Sequence, residues 1–313
     1  MTRTPQKAFK HFFDRSFIVA ISAMVAILYG VTLRWTPETF FLSVSTIDPN
    51  KSKINSAPSQ NKTFMLTKKI NHSRDHVTED VFDKYSPVMH KKPTSTEIPR
   101  VFATHLPVEL GIVTNIKNKQ EMFVATLLPH ILKYNEDILA DRTYLSRLKR
   151  IVDNGNSLSF EQRLWLQDLA KRYNIKRLSF DELLKRVDII PPSLALAQAV
   201  VESGWGGCKY ARKQNSPFGL MRDKTRLLTF DSLDDGVGTY IKTLNTHPAY
   251  DSLRRIRAQQ RQDGVHPCSL KLADGLIYYS TRRQAYIRQL KQLIDLHSLK
   301  KYDHARFSTD LRS

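Results

Sequence analysis

Between Pro191 and Gly207 the chain reads PPSLALAQAVVESGWGG, and this stretch constrains the fold more than any other. Two prolines open it, and proline is tolerated in the first turn of a helix because its missing N–H would have no partner there. The apolar positions Leu194, Ala197, Val200 and Val201 recur at helical spacing. Ala195, Ala197 and Ala199 are small enough to let neighbouring backbones approach. Ser203-Gly204 ends the run, glycine being the usual residue just past a helix end. A helix this apolar demands a core around it, so the chain must fold into a helical domain that encloses it.

The surrounding pattern agrees. Lys119–Asn135 carries Met122, Phe123, Leu127, Ile131 and Tyr134 near helical spacing, with a kink expected at Pro129. Arg142–Val152 is a second amphipathic run, and NGNS at Asn154–Ser157 breaks the chain after it. Ser159 opens another helix with Leu164, Trp165 and Leu169 as apolar positions. Ser179 followed by Glu182 is a capping-box pattern. Ser232 to Asp235 has the same spacing, so Asp235 reads as part of a helix start. Tyr278 and Tyr279 precede a helix containing Tyr286, Leu290 and Ile294.

Glu202 falls in the last turn of the apolar helix. The C-terminal end of a helix carries roughly half a negative charge, and apolar surroundings also disfavour ionisation. Both raise the pKa of a carboxyl group, and a carboxyl that keeps its proton near neutral pH can serve as a general acid. A surface glutamate that merely tolerates the helix end is the plainer alternative. Gly204, Gly206 and Gly207 flank Trp205 and Cys208, letting the backbone turn sharply and a bulky ligand approach. Trp205 can stack on a sugar ring or fill the core, and the tyrosine pair can likewise be core. Asn215 and Phe218-Gly219 follow at a distance that can fold back over the same cleft.

The N-terminal third has a different character. Ser16–Leu33 contains no charge, and about 18 residues at about 1.5 Å each reach roughly 27 Å, enough for the hydrocarbon core of a bilayer. Lys7, Lys10, His11 and Arg15 precede it, while Arg34 and Trp35 follow where a snorkelling cation and an interfacial indole belong. The basic flank places the N-terminus in the cytoplasm and the rest of the chain beyond the membrane. A cleavable signal peptide is the competing reading, but the run is longer than the usual h-region. Thr36 to Arg100 is rich in Ser, Thr, Asn, Lys and Pro with few apolar runs, and reads as a flexible spacer.

The chain has 49 Lys plus Arg against 30 Asp plus Glu, a net charge of +19, which suits anionic partners. Export argues against nucleic acid and for an acidic wall polymer. Arg254, Arg255, Arg257 and Arg261 could grip carboxylates or lipid headgroups, or form a solvated helix face. Cys208 and Cys268 are too few for a disulfide scaffold; in an oxidising compartment they either pair or stay as two thiols. His247, His266, His297 and His304 show no paired metal-ligand spacing, and no HExxH, GxGxxG or Walker-type loop occurs. Neither metal nor cofactor is expected.

The run AQAVVESGWG (Ala197–Gly206), then Tyr210-Ala211-Arg212 and Asn215-Ser-Pro-Phe-Gly219, resembles the FlgJ-like bacterial glucosaminidase family. FDSLDDGVGTYIKTLNTHPAYDSLRRIRA (Phe230–Ala258) and the Tyr278–Tyr286 segment are similar to its Bax-type subgroup. The resemblance implies a mainly α, lysozyme-like, two-lobed domain with a saccharide cleft and a short β-hairpin. It implies hydrolysis of β-1,4 bonds after N-acetylglucosamine in peptidoglycan strands, with Glu202 as the catalytic acid and Trp205, Asn215, Phe218, Gly219 and Tyr279 along the substrate. A glycosidase usually needs a second carboxylate. The family's hairpin supplies one; here that stretch, Leu220–Phe230, is short, and its only acid before Asp231 is Asp223, the candidate base. Assistance by the substrate's own 2-acetamido group is the other route. The expected organisation is a cytoplasmic tail (1–15), a transmembrane anchor in the inner membrane (16–35), the spacer (36–100), a periplasmic glucosaminidase domain (101–300) and a basic tail (301–313). A wall-binding protein without efficient catalysis is the alternative function. An amidase acting on peptide stems lacks any zinc-ligand or Cys–His pattern to support it.

Overall fold

The computed structural model describes residues 97–308 apart from 224. The tail, anchor and spacer expected over 1–96, and the last residues from 309 on, lie outside the described residues. Among those described, no helix is long and apolar enough to cross a membrane.

The fold is mainly α. The longest helix, α1 (Ile116–Asp153), has 38 residues, roughly 57 Å at about 1.5 Å per residue. Asn115 caps it, its side-chain oxygen accepting from Lys117 N and Asn118 N. The two amphipathic runs expected at Lys119–Asn135 and Arg142–Val152 are therefore one uninterrupted helix. Phe123, Leu127, Ile131, Leu145 and Leu148 form its buried stripe. Helix α2 (Phe160–Arg172) opens with a complete capping box between Ser159 and Gln162. At α3 (Phe180–Arg186) Ser179 caps as expected, but the Glu182 side chain turns to Lys185 and Arg186 and does not close a box.

Helix α4 (Pro192–Ser203) lies at the centre. Every residue in it except Glu202 is buried, as a helix apolar on all sides requires. It is packed by α1, by α9 (Gln284–Leu296) and by the 3-10 turn Leu299–His304. Between them run the short α5 (Lys209–Lys213), then α6 (Leu233–Thr246), α7 (Asp251–Gln262) and the short α8 (Ser269–Leu272). Ser232 caps α6 by accepting from Asp235 N. A two-stranded parallel sheet joins the two ends of the described residues, β1 (Glu97–Ile98) pairing with β2 (Arg306–Phe307). The domain edges expected at 100 and 300 thus fall inside the folded unit. Phe307 is buried, and Asp303 accepts from both the backbone N–H and the hydroxyl of Ser193 at the start of α4.

The arginine cluster is not a solvated or ligand-gripping face. Arg254 and Arg257 are 1% and 0% exposed. Arg254 donates to Leu244 O and His247 O at the end of α6. Arg257 donates to Lys185 O and Arg186 O at the end of α3 and to Asp188 O and Ile189 O beyond it. Both satisfy carbonyls that helix ends leave without partners. Arg261 grips Asp188 at 2.8 Å. Only Arg255 points outward, paired with Asp251. Cys208 and Cys268 are both free thiols.

Candidate active site

Gly204 ends α4 in the left-handed conformation, φ 58°, its N–H returning to Val200 O. Trp205 and Gly206 follow at φ 57° and 71°, so three consecutive residues are left-handed and the chain reverses at once. Ser203 Oγ fixes this loop by accepting from Gly206 N and donating to Ala199 O. The Trp205 ring, 9% exposed, wedges edge-on against Phe123 and His297. It anchors the loop and presents little surface to a sugar.

The loop leaves Glu202 part-exposed as a residue, but its Oε1 is buried without a hydrogen-bond partner among the described residues. Burial lifts the carboxyl from 4.5 to about 7; the Tyr286 hydroxyl and the Arg282 charge pull the other way and are outweighed. The C-terminal position on α4 acts in the same direction as burial.

Around it stands a cage of tyrosines. Gln198, one turn earlier on α4, accepts from Tyr240 OH at 2.8 Å and donates to Tyr286 OH at 3.2 Å. Tyr279 stacks on Tyr286 and donates its hydroxyl to Phe218 O at 2.8 Å. Phe218 stacks on Tyr240 at 3.8 Å, and Tyr250 tilts against Tyr279. Burial pushes the Tyr240, Tyr250, Tyr279 and Tyr286 hydroxyls well above their usual range, so they stay neutral. Phe218 and Tyr279 are each 1% exposed. Both lie beside Glu202 as expected, but as walls behind it, with no ring face open to stack on a saccharide.

Gly219 is the closest approach. A Cβ at this position would stand 2.7 Å from Glu202 Oε2, and its φ of 63° also suits glycine. The Phe-Gly pair therefore lays bare backbone against the carboxyl. Asn215, buried and at φ 48°, binds the two ends of the following segment together, donating to Phe230 O and contacting His105 Nδ1. It shapes the wall without facing the carboxyl.

The segment after Gly219 is a tight hairpin, with Leu228 N bonded to Leu220 O and one bridge between Met221 and Leu227. Asp223 sits near its tip. Its oxygens are occupied by Thr225 N, Thr225 Oγ1, Arg226 N and Arg226 Nε. These bonds, the Thr225 N–H foremost, hold the carboxyl down to about 2. It is ionised, but its lone pairs serve its own turn.

Gln198, Tyr240, Tyr250, Tyr286 and Arg282 were not singled out by the sequence. Gln198 lies four residues before Glu202, a spacing that places both on one side of the helix. Tyr240 and Tyr250 come from α6 and the turn after it, and only the fold brings them in. Arg282 precedes Arg283, whose backbone at φ 45° and ψ −113° is strained for a non-glycine residue. Among the described residues no group of His, Cys, Asp and Glu could hold a metal ion.

A helical domain with one uncompensated, protonatable carboxyl beside an open glycine backbone has the site chemistry of a glycoside hydrolase. Residues 178–299 match the family model "Glucosaminidase: Mannosyl-glycoprotein endo-beta-N-acetylglucosaminidase". The chain is thus similar to this glucosaminidase family and, within it, to the Bax type. It is 34% identical over 184 residues to Protein bax of Escherichia coli (strain K12), an alignment that covers 54% of this chain and 66% of that protein, just under two thirds. No solved structure matches the chain.

Proposed function

We propose that this chain is an exported, membrane-anchored peptidoglycan hydrolase of the endo-β-N-acetylglucosaminidase type. Glu202 donates its proton to the glycosidic oxygen as the bond after N-acetylglucosamine breaks. The single observation behind this reading is the Glu202 carboxyl, desolvated, with its pKa near 7 and Gly219 laid against it. Protonated at neutral pH, it can deliver a proton to a leaving group without a metal or cofactor. The word "mannosyl" in the family description is not taken as the substrate. In this reading Ser16–Leu33 holds the chain in the inner membrane, residues 36–100 span the gap, and the lysozyme-like domain faces the periplasm.

Asp223 is the residue named for the second carboxylate, but its turn occupies it. Attack by the substrate's own 2-acetamido oxygen therefore fits the site better as the step that follows protonation. The same observation favours one rival: a wall-binding protein on this fold with catalysis lost or weak.

Clearing of a peptidoglycan gel by the full chain, compared with Glu202→Gln, separates the two readings. The enzyme reading expects a cleared zone from the wild type and none from the variant; equal zones remove Glu202 from the chemistry, and no zone from either leaves the binding protein. Mass analysis of the released muropeptides then identifies the new reducing end, expected to be N-acetylglucosamine.

A further inference from the structure

Helix α6 separates two different environments. Tyr240, with Leu233, Val237 and Leu244, faces the core and the Glu202 cage. Gly238, Ile241, Lys242 and Asn245 lie on the opposite side of the helix, at about 100° per residue. That side, with α1 and the end of α2, lines a cleft of about 370 Å³ that is open to solvent. This is within the range of about 300–1,000 Å³ usual for small-ligand sites.

The cavity wall holds polar groups with unused bonding capacity. Tyr173 is 8% exposed and its hydroxyl makes no hydrogen bond among the described residues. The Thr239 hydroxyl makes none there either, and the Lys242 ammonium has no carboxylate within ion-pair distance among them. Asn245, 1% exposed, donates its amide N–H to Asp188 O and leaves Oδ1 buried without a partner. Tyr134 contributes a second ring, tethered by its hydroxyl to Asp234. Buried polar groups are ordinarily satisfied, so the unpartnered Asn245 Oδ1 in this wall points to something that fills the space; Thr239 beside it is half-buried and Lys242 is exposed.

We propose that this cavity is a second, non-catalytic saccharide site that holds an acetamido sugar of the same glycan strand. The Tyr134 and Tyr173 side chains line the same space. The free acceptor of Asn245 suits an amide N–H, the Tyr173 and Thr239 hydroxyls suit ring hydroxyls, and Lys242 suits a carboxylate carried on the sugar or its stem. A site beyond the Glu202 cage would keep a long polymer attached between cleavages. The choice of ligand rests on the glycan-hydrolase reading; the existence of the site does not.

The test is co-sedimentation of the detergent-solubilised full chain with purified peptidoglycan sacculi. All chains carry Glu202→Gln so that nothing is cut. Adding Tyr173→Phe and Lys242→Ala should weaken retention about tenfold, the loss of one neutral and one charge-assisted hydrogen bond. Lys271→Ala, an exposed lysine elsewhere, should change it little and so measures the general effect of lost charge. Thermal midpoints within about 2 °C of one another establish that all variants are folded; Tyr173→Phe alone, which keeps the ring, is the fallback if the pair is unstable. Equal retention of the parent and the cavity variant overturns the site and leaves a water-filled cavity. A loss matched by Lys271→Ala overturns it in favour of bulk charge. Competition by free chitotetraose that is abolished only in the cavity variant assigns the ligand as a sugar. If wild type fails to clear peptidoglycan while this competition holds, the enzyme reading falls and the saccharide site stands.

Discussion

Replacing Glu202 by glutamine should make the protein more stable at neutral pH while removing its activity. The native carboxyl has a pKa of about 7 against 4.5 unperturbed, chiefly through burial. Between those values the native state holds a proton that the unfolded chain releases. Stability therefore falls as pH rises from about 4.5 and levels off once pH passes about 7. At about 1.4 kcal/mol per pH unit the accumulated loss is roughly 3 kcal/mol. Glutamine has nearly the same shape and no proton to lose, so it escapes this loss.

For a domain of this size about 1 kcal/mol corresponds to roughly 2–4 °C in the unfolding midpoint. Glu202→Gln should therefore melt roughly 6–12 °C higher than wild type at pH 8 and together with it at pH 4. Every other titrating group is shared by the two proteins and cancels in the difference. Circular dichroism melts across pH 4–8 read this directly. A constant offset at both ends of the range would refute the reasoning, because it would mean that the carboxyl is not desolvated as described. The wild-type rate should, in parallel, decline about tenfold per pH unit above 7 as the acid loses its proton.

Gly219→Ala should cost about 1 kcal/mol from its left-handed backbone and displace the Glu202 carboxyl that its methyl would touch. The zymogram should show at least a tenfold loss while urea denaturation moves only slightly. Asp223→Asn should reduce clearing by less than tenfold, since a working general base contributes about a hundredfold or more; a larger loss in initial rate would restore Asp223 as the second carboxylate. Asp188→Ala should destabilise by about 3–5 kcal/mol in urea titration, because it strands the buried Arg257 and frees Arg142 and Arg261.

Helix α4 and its end were legible because their signals are local: two prolines, a run of alanines and a glycine fix the boundaries without reference to the rest of the chain. The position of Glu202 followed from them. One reading failed to see the fold because the partner lies far away in sequence. Arg254 and Arg257 read as surface charges, yet they are drawn inward by the free carbonyls at the ends of α6 and α3. Pro129 read as a kink, and it falls inside α1, which continues on both sides of it. Phe218 and Tyr279, named along the substrate by resemblance, each meet a ring from another helix, Tyr240 or Tyr286, that the sequence does not place beside them. Gln198 carried a local signal, its spacing from Glu202, but nothing in the sequence says that it bridges two tyrosines.

Two carboxyl groups near α4 show what distinguishes scaffold from site. Asp188, just before the helix, and Glu202, in its last turn, are both enclosed by apolar neighbours. Burial pushes both upward, yet their pKa values move in opposite directions. Hydrogen bonding from Arg261 and the charges of Arg257 and Arg142 outweigh burial at Asp188 and keep it ionised. At Glu202 one arginine and one tyrosine hydroxyl do not suffice. Burial is thus common to the two, and compensation is what differs. A buried acid given three cations secures helix ends; a buried acid left short of them lowers stability at neutral pH, the loss that the proposed role as proton donor would carry. The tyrosine cage sharpens the contrast. Its hydroxyls are neutral: Tyr240 donates to Gln198, Tyr279 to Phe218 O, and Tyr286 alone bonds the Glu202 carboxyl, so they surround Glu202 with a weakly polar shell without supplying the charge that would ionise it.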